Sequence, residues 1–275
     1  MALAKPTRVV KMKIAAFNVK KLGWTKVNKE DVQTNLIRIM SRYSVVVILE
    51  VVDSTGKAMK LLLRELNNTR ENRNNPFAMM KSVQLGRSSY KEQFVFFYRE
   101  DEVEVVDTYQ YKDDQEGDED AFAREPFILQ LKCLNTVVED LVLIPVHTTP
   151  MDVVRELNAL DDVVKDVRRR WSADNIMLLG DFNADGRYLS SKKKKGIRIS
   201  CYRYKWLIDE DADTTTSDSN DHTYDRIVVT GDDLYEAIVP GSAQPFNFQK
   251  AYRLSTATTR AISDHYPVEV ELIEK

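Results

Sequence analysis

Val9–Val19 alternates apolar and polar positions, the two-residue period of a strand. Glu30–Tyr43 changes period: Val32, Leu36, Ile37 and Met40 fall at helical spacing. Ser44–Val51 is a continuous β-branched run, which predicts a strand buried on both faces. Lys57–Leu66 reads as a helix, and Phe94–Tyr98, Val103–Tyr111, Phe127–Cys133 and Val137–His147 read as strands. Only Leu134, Asn135 and Thr136 separate the last two, which predicts a hairpin. Met151–Trp171 carries the longest helical pattern, with Val153, Leu157, Leu160, Val164 and Val167 on one face. Asn175–Gly180, Tyr224–Thr230 and Val268–Ile273 complete the strands. Many strands with fewer helices to cover them predict an α/β chain, an α+β four-layer sandwich of two packed mixed sheets flanked by helices.

Composition narrows this picture. The 275 residues contain no internal repeat, and 9 Gly and 8 Pro are scattered without forming a linker, so we expect one compact domain over residues 1–275. With 43% hydrophobic residues and a net charge of -3, the chain is not of the disordered class. The 40 Lys+Arg against 43 Asp+Glu exclude a wholesale cationic binder, yet nucleic acid remains open as a substrate if metal ions and a local basic patch supply the field. Cys133 and Cys201 cannot form a disulfide framework and are expected to be buried thiols. No run is long and apolar enough for a membrane span, and Met1–Met12 lacks the apolar core of a signal peptide. A secreted protein whose leader is removed and an intracellular protein both remain open. Acidic Lys112–Glu119 and basic Ser190–Lys195 read as solvated loops.

The chemistry is concentrated at strand ends. Asn18 follows Ile14–Phe17, Glu50 follows Val45–Leu49, His147 follows Leu141–Val146, Asp181 and Asn183 follow Ile176–Gly180, and Asp264-His265 precedes Tyr266-Pro-Val. A carboxylate closing an apolar strand is costly unless paired or metal-bound. One such acid reads as a satisfied core residue; several argue for convergence at one rim. Asp, Glu and Asn are hard oxygen donors suited to magnesium, manganese or calcium.

These residues sit in blocks that resemble the deoxyribonuclease I family, within the exonuclease–endonuclease–phosphatase superfamily. The blocks run from Lys13–Asn18 through Leu85–Glu92 (LGRSSYKE), Ala121–Pro126 (AFAREP), His147–Pro150, Gly180–Ala184 (GDFNA), Tyr224–Val229 (YDRIVV) and Val239–Ala243 to Ile262–Val268 (ISDHYPV). Gly-Asp-Phe-Asn with Ser-Asp-His marks the superfamily; Tyr-Lys-Glu, Arg-Glu-Pro and Tyr-Asp-Arg-Ile-Val mark the deoxyribonuclease branch.

The resemblance implies a divalent-metal-dependent DNA endonuclease acting mainly on double-stranded DNA. His147 is expected to pair with Glu92 and His265 with Asp225, one dyad activating water and the other serving the leaving 3′ oxygen. Glu50, Asp181, Asp264 and Asn18 are expected around Mg2+ or Mn2+, with Asn183, Arg124, Tyr90, Tyr188, Tyr224 and Arg87 on phosphate and sugar. Asp213 and Thr215 resemble one structural Ca2+ site, and Asp113, Asp120, Phe122 and Glu125 another. The family's disulfide positions correspond to Gly186 and His222, so that bridge is absent. Val52 replaces a basic residue that in the family enters the minor groove; Lys20, Arg87 and Lys91 are expected to compensate, and Lys192–Lys195 to reach a flanking phosphate. The positions of the family's actin contact are Met79 and Lys81, so actin binding is not expected. We expect a monomer. Two other classes stay open: another phosphodiesterase or phosphatase on this fold, and a catalytically decayed binding paralogue.

Overall fold

The structure, a computed structural model, describes residues 12–275. Its first sheet contains β1 (Met12–Leu22), β2 (Val45–Val51), β3 (Phe77–Lys81) and β4 (Gln93–Arg99). The chain then builds a complete second sheet from β5 (Val103–Gln110), β6 (Phe127–Cys133), β7 (Asp140–His147), β8 (Ile176–Asp181), β9 (Lys205–Trp206) and β10 (Asp225–Thr230). It returns to the first sheet with β11 (Gln244–Pro245) and β12 (Val268–Leu272). The strand orders are β11-β12-β1-β2-β4-β3 and β5-β6-β7-β8-β10-β9.

Each sheet has a parallel pair near its middle, β1 with β2 and β7 with β8, and antiparallel neighbours outside it. This topology positions the site. The parallel strands end on one rim, and β10 and β12, running the other way, begin there.

Helices cover the outer faces. They are α1 (Trp24–Val27), α2 (Glu30–Met40), α3 (Lys57–Asn68), α4 (Val153–Trp171), α5 (Ser191–Lys195), α6 (Asp232–Glu236), α7 (Phe248–Tyr252) and α8 (Thr256–Ile262). Along β2, Val45, Val47 and Leu49 enter the core between the sheets, while Val46 and Ile48 pack toward Leu36, Ile39 and Leu62 of α2 and α3. That two-sided burial is why the run is uninterrupted by polar residues. Across the molecule, Ile144 and Leu178 of the second sheet meet Leu157, Val163 and Val164 of α4. The layers are helix, sheet, sheet, helix, as the sequence pattern predicts. No helix among the described residues is long and apolar enough to cross a membrane.

Several local expectations change. Residues 9–11 of the first predicted strand, and the signal-peptide reading of residues 1–11, lie outside the described residues. The β6–β7 hairpin pairs Lys132 with Asp140, so its loop extends past Thr136. The basic run is no loop: Ser190 caps α5, its side chain accepting from the Lys193 N–H at 3.3 Å. Edge strand β3, which the resemblance places at Met79 and Lys81, has no signal in the pattern itself because Phe-Ala-Met-Met-Lys neither alternates nor contains a β-branched residue. Cys133 is buried as expected, but Cys201 is only partly so; both are free.

Candidate active site

Asp181 lies opposite His147 in the parallel β7–β8 register and opposite Asp225 in the antiparallel β8–β10 register. Pairing alone therefore puts these three at one edge. Close approach of the strands there requires Gly180, at φ +143°, because a Cβ would stand 2.0 Å from the Val146 carbonyl oxygen. In the first sheet, the register shifts beyond Asn18 on β1 and beyond Ile48 on β2. Such irregularities re-aim a side chain, and Glu50 sits inside one with φ 56°. Asn183 has φ 47°. Left-handed backbone at non-glycine residues costs about 1–3 kcal/mol and is held where surrounding structure demands it.

Both expected dyads form. His147 Nδ1 is 3.1 Å from Glu92 Oε2, and His265 Nδ1 is 2.7 Å from Asp225 Oδ2. Each Nδ1 is thus occupied, and each Nε2 is turned to the rim. Asp181 Oδ2 lies 3.8 Å from the Nε2 of His147 and 3.7 Å from that of His265. The two imidazoles face one carboxylate oxygen from opposite dyads.

The charges are coupled. Burial opposes a proton on His265, but Asp225, Asp181 and Asp264 outweigh it and raise its pKa to about 10. Burial pushes Asp225 up to about 6 against the pull of that imidazole. The mutual attraction of the pair favours an imidazolium facing a carboxylate. For His147, burial and Arg124 resist protonation, and Glu92 and Asp181 prevail, so its pKa is also raised. Burial disfavours the Glu92 carboxylate, but His147 and Arg124 hold its pKa below the ordinary value.

Asn18 joins the two sheets. Its Nδ2 donates to Glu50 Oε1 and to Asp181 Oδ2, each at 3.1 Å. Its Oδ1 accepts from the Lys20 N–H at 2.9 Å, which fixes the amide orientation. Asn18 therefore meets the carboxylates as a donor, where the resemblance suggests a metal ligand. The Lys21 N–H donates to the other Glu50 oxygen at 3.1 Å. Asp264 is paired with Lys20 Nζ at 2.6 Å. Among the described residues, Asp181, Asp225 and His265 form a group whose ligand atoms lie within 4.8 Å of one another. With Glu50 and Asp264 beside it, this oxygen-rich, net-negative rim matches the donor set a hard divalent cation requires.

The rim opens into a cleft of about 460 Å³ lined by Glu50, Tyr90, Arg124, His147, Asp181 and Asn183. Arg124 is not a free phosphate contact here: Nη1 is 2.9 Å from Glu92 Oε1 and Nε donates to the His147 carbonyl at 3.0 Å. Burial, then Glu92 and Glu50, push the Tyr90 phenol up to about 12, so it faces the cleft neutral. Asn183 Nδ2 donates to the Thr148 carbonyl at 3.1 Å, and its backbone N–H to Asp181 Oδ1 at 3.0 Å. Tyr188 and Tyr224 lie together with ring centroids 5.6 Å apart.

Two supporting residues had no sequence signal of their own. Glu156, in the first turn of α4, is 1% exposed, and its Oε1 accepts from the Thr149 N–H at 2.7 Å. Burial pushes its carboxyl up to about 7. Lys26 Nζ donates to the Val19 and Lys20 carbonyls at 2.8 Å each, and burial lowers its pKa to about 8. Glu156 lies within a helical pattern that reads as ordinary amphipathic surface, and Lys26 lies in the short α1, outside every predicted element.

The outlying acids also gather. Asp113 Oδ2 accepts from the Phe122 N–H at 2.6 Å, and its carbonyl accepts from the Asp120 N–H at 3.1 Å. Burial raises the Asp113 pKa, with Glu125 and Asp120 adding to it. Arg87 spends its charge here, 3.3 Å from Asp120 and 3.6 Å from Asp152. Asp213 Oδ1 accepts from the N–H and Oγ1 of Thr215 at 2.9 and 3.0 Å, and Thr215 bridges to His265. At the absent disulfide, the His222 ring fills the space a Gly186 side chain would take, 2.7 Å from its Cβ position, and Nδ1 lies 3.2 Å from Asp185 Oδ2.

Comparison with known proteins agrees with this geometry. Residues 15–265 match the model of the Endonuclease/Exonuclease/phosphatase family. The chain is 44% identical over 263 residues to rabbit (Oryctolagus cuniculus) Deoxyribonuclease-1, covering 95% of this chain and 92% of that one. It is 38% identical over 262 residues to human (Homo sapiens) Deoxyribonuclease gamma, covering 95% and 86%. Among solved structures, the human Nocturnin catalytic domain with bound sulfate anion matches with a TM-score of 0.63 at 13% identity, over 97% of this chain and 95% of that one, a likeness of fold. By sequence and by architecture, the chain belongs to the deoxyribonuclease I family within the endonuclease/exonuclease/phosphatase superfamily.

Proposed function

We propose that the chain is a divalent-metal-dependent endonuclease that hydrolyses phosphodiester bonds of double-stranded DNA. The observation that carries this reading is the facing pair of His–carboxylate dyads, 3.8 and 3.7 Å from the shared Asp181 oxygen, in a chain 44% identical to a protein named Deoxyribonuclease-1. Glu92 and Asp225 fix the tautomer of their imidazoles through Nδ1, leaving Nε2 of each to exchange a proton. One Nε2 takes the proton of the attacking water while the other delivers a proton to the departing 3′ oxygen, and the P–O3′ bond breaks. Arg124 and Asn18 hold the carboxylates in place, and Tyr90 lines the cleft, where its phenol is available to a phosphate.

Mg2+ or Mn2+ fits Glu50 with Asp181 and Asp264, and when bound supplies charge neutralisation at the phosphate oxygens. Ca2+ is proposed at Asp213 and Thr215 and at Asp113, Asp120, Phe122 and Glu125, in structural roles. The protein acts as a monomer on DNA. No actin contact is proposed: on edge strand β3, Met79 is half-buried and Lys81 is exposed.

Nicking of supercoiled plasmid with Mg2+, Mn2+, Ca2+ or chelator, beside a phospholipid and inositol phosphatase assay, tests the reading. Nicking that requires metal, with neither lipid nor inositol phosphate release, is expected. Phosphate release without nicking assigns the fold's other chemistry, and no hydrolysis under any metal leaves a binding paralogue.

A further inference from the structure

Helix α5 carries four consecutive lysines, and the fold uses them unequally. Lys194 turns inward: its Nζ lies 4.1 Å from the Trp206 ring centroid, it pairs with Glu210, and its carbonyl accepts from Ser200 Oγ at 2.7 Å. Burial lowers its pKa accordingly. At about 100° per residue, anchoring Lys194 sends Lys192 to the opposite side and Lys193 and Lys195 to its two flanks. All three are exposed, and none has an ion-pair partner among the described residues.

Lys193, with Lys192 and Lys195 beside it on the same short helix, lines a groove. It measures about 480 Å³ and is lined by Met151, Asp152, Arg155, Tyr188 and Lys193, among others. Thr149 and Pro150 line the active-site cleft, and the next two residues of the chain, Met151 and Asp152, line the groove. Met151, 90% exposed, stands at the junction. The acids of the groove are already neutralised, Asp118 by Arg155 at 2.6 Å and Asp152 by Arg87 at 3.6 Å. What remains is free positive charge beside an aromatic wall, on a chain whose net charge is -3.

We propose that α5 and this groove form a second contact for duplex DNA, in which Lys192, Lys193 and Lys195 hold backbone phosphates flanking the cleaved bond. This rests on the nuclease reading and names where the substrate runs on leaving the cleft. Lys192 and Lys195 are separated by about 4.5 Å along the helix axis. Phosphates along one DNA strand are separated by about 3.4 Å of duplex axis. Lysine stems span the difference, so the contact reads charge and not sequence.

The test is the salt dependence of KM for plasmid nicking in a variant carrying Lys192→Ser, Lys193→Ser and Lys195→Ser. Each lysine that neutralises a phosphate contributes about 0.9 to the slope of log affinity against log salt. The slope is therefore expected to become shallower by between about one and three, with KM raised several-fold at low salt and kcat unchanged. Hydrolysis of a small phosphodiester such as bis-p-nitrophenyl phosphate stays at the wild-type level, and arginine at the same three positions restores the slope. Serine at exposed Lys57, Lys60 and Lys250 removes the same net charge and is expected to leave the slope unchanged. An unchanged slope in the α5 variant, or an equal loss in this control, overturns the proposal. Lys193→Gln alone gives the same reading with less perturbation, as a slope change of about one. Anisotropy of a fluorescent duplex in chelator separates the two levels: wild-type binding through α5 with no nicking under any metal sinks the nuclease reading and keeps this one.

Discussion

Arg124 holds the face of Glu92 that His147 does not: Nη1 is 2.9 Å from Oε1, while Oε2 lies 3.1 Å from the imidazole. The guanidinium therefore acts on catalysis through the carboxylate. Replacing it with glutamine should lower kcat by roughly 10- to 100-fold, the scale of a lost ligand-orienting partner, with little change in KM. A direct phosphate contact gives the reverse pattern, so steady-state kinetics on one oligonucleotide decide between them.

Removing the His265 imidazole does more than remove an acid-base group. Asp225 is 1% exposed and its carboxylate has His265 as its cationic partner at 2.7 Å. His265→Ala should reduce nicking by several orders of magnitude. It should also destabilise the fold near neutral pH, by about 3–5 kcal/mol for a buried charge left unpaired. Lowering the pH lets Asp225 take up a proton, so the stability gap to wild type should narrow toward pH 5. Urea titrations at pH 5 and 8 measure this, and equal losses at both would remove the ion pair from the account.

Glu156 offers a cleaner titration away from the rim. Its folded pKa is raised to about 7 from an ordinary 4.5. The folded state binds that proton more tightly, so the associated stability is full below about 4.5 and is lost as pH rises through about 7. Glu156→Gln preserves an acceptor for the Thr149 N–H and does not titrate. The variant should gain on the wild type between pH 4.5 and 7 and hold that advantage above. A constant difference across that window in melting temperature would refute the assignment.

The loop between Gly186 and His222 is held without a covalent link, by ring packing, the Asp185 contact and the Asp213–Thr215 turn. A disulfide closing a loop of this size contributes roughly 3–4 kcal/mol. Dithiothreitol should leave activity unchanged. Calcium removal, or Asp213→Ala, should lower the melting temperature and speed proteolysis between residues 186 and 222. Because Thr215 bridges to His265, kcat should fall with it. Unaltered melting and proteolysis in chelator would show that the turn needs no ion.

Much of the rim was legible because strand patterning and motif agree. Glu50 follows five apolar residues, and a strand end of that kind has few tolerable environments. What was hidden depends on three-dimensional pairing. Arg124 is marked by its motif as a phosphate contact, but its pairing with Glu92 has no sequence signal, and Glu156 looks like a first-turn acid on α4 until burial reveals its load. The direction of the Asn18 amide is set by the bulge after it, which no periodicity encodes. The tetralysine helix was missed because like charges argue for a loop, and the Trp206 and Glu210 contacts that anchor Lys194 lie at least 12 residues further along the chain.

The second sheet is built entirely between Val103 and Thr230, inside a first sheet that opens at Met12 and is completed only by β12. Asp264 and His265 arrive with that last return. A chain emerging from a ribosome thus displays Glu50, His147 and Asp181 long before it holds its second imidazole. The His265–Asp225 dyad therefore closes only when the C-terminal segment docks its last strand against β1, and any chain truncated before Asp264 lacks it.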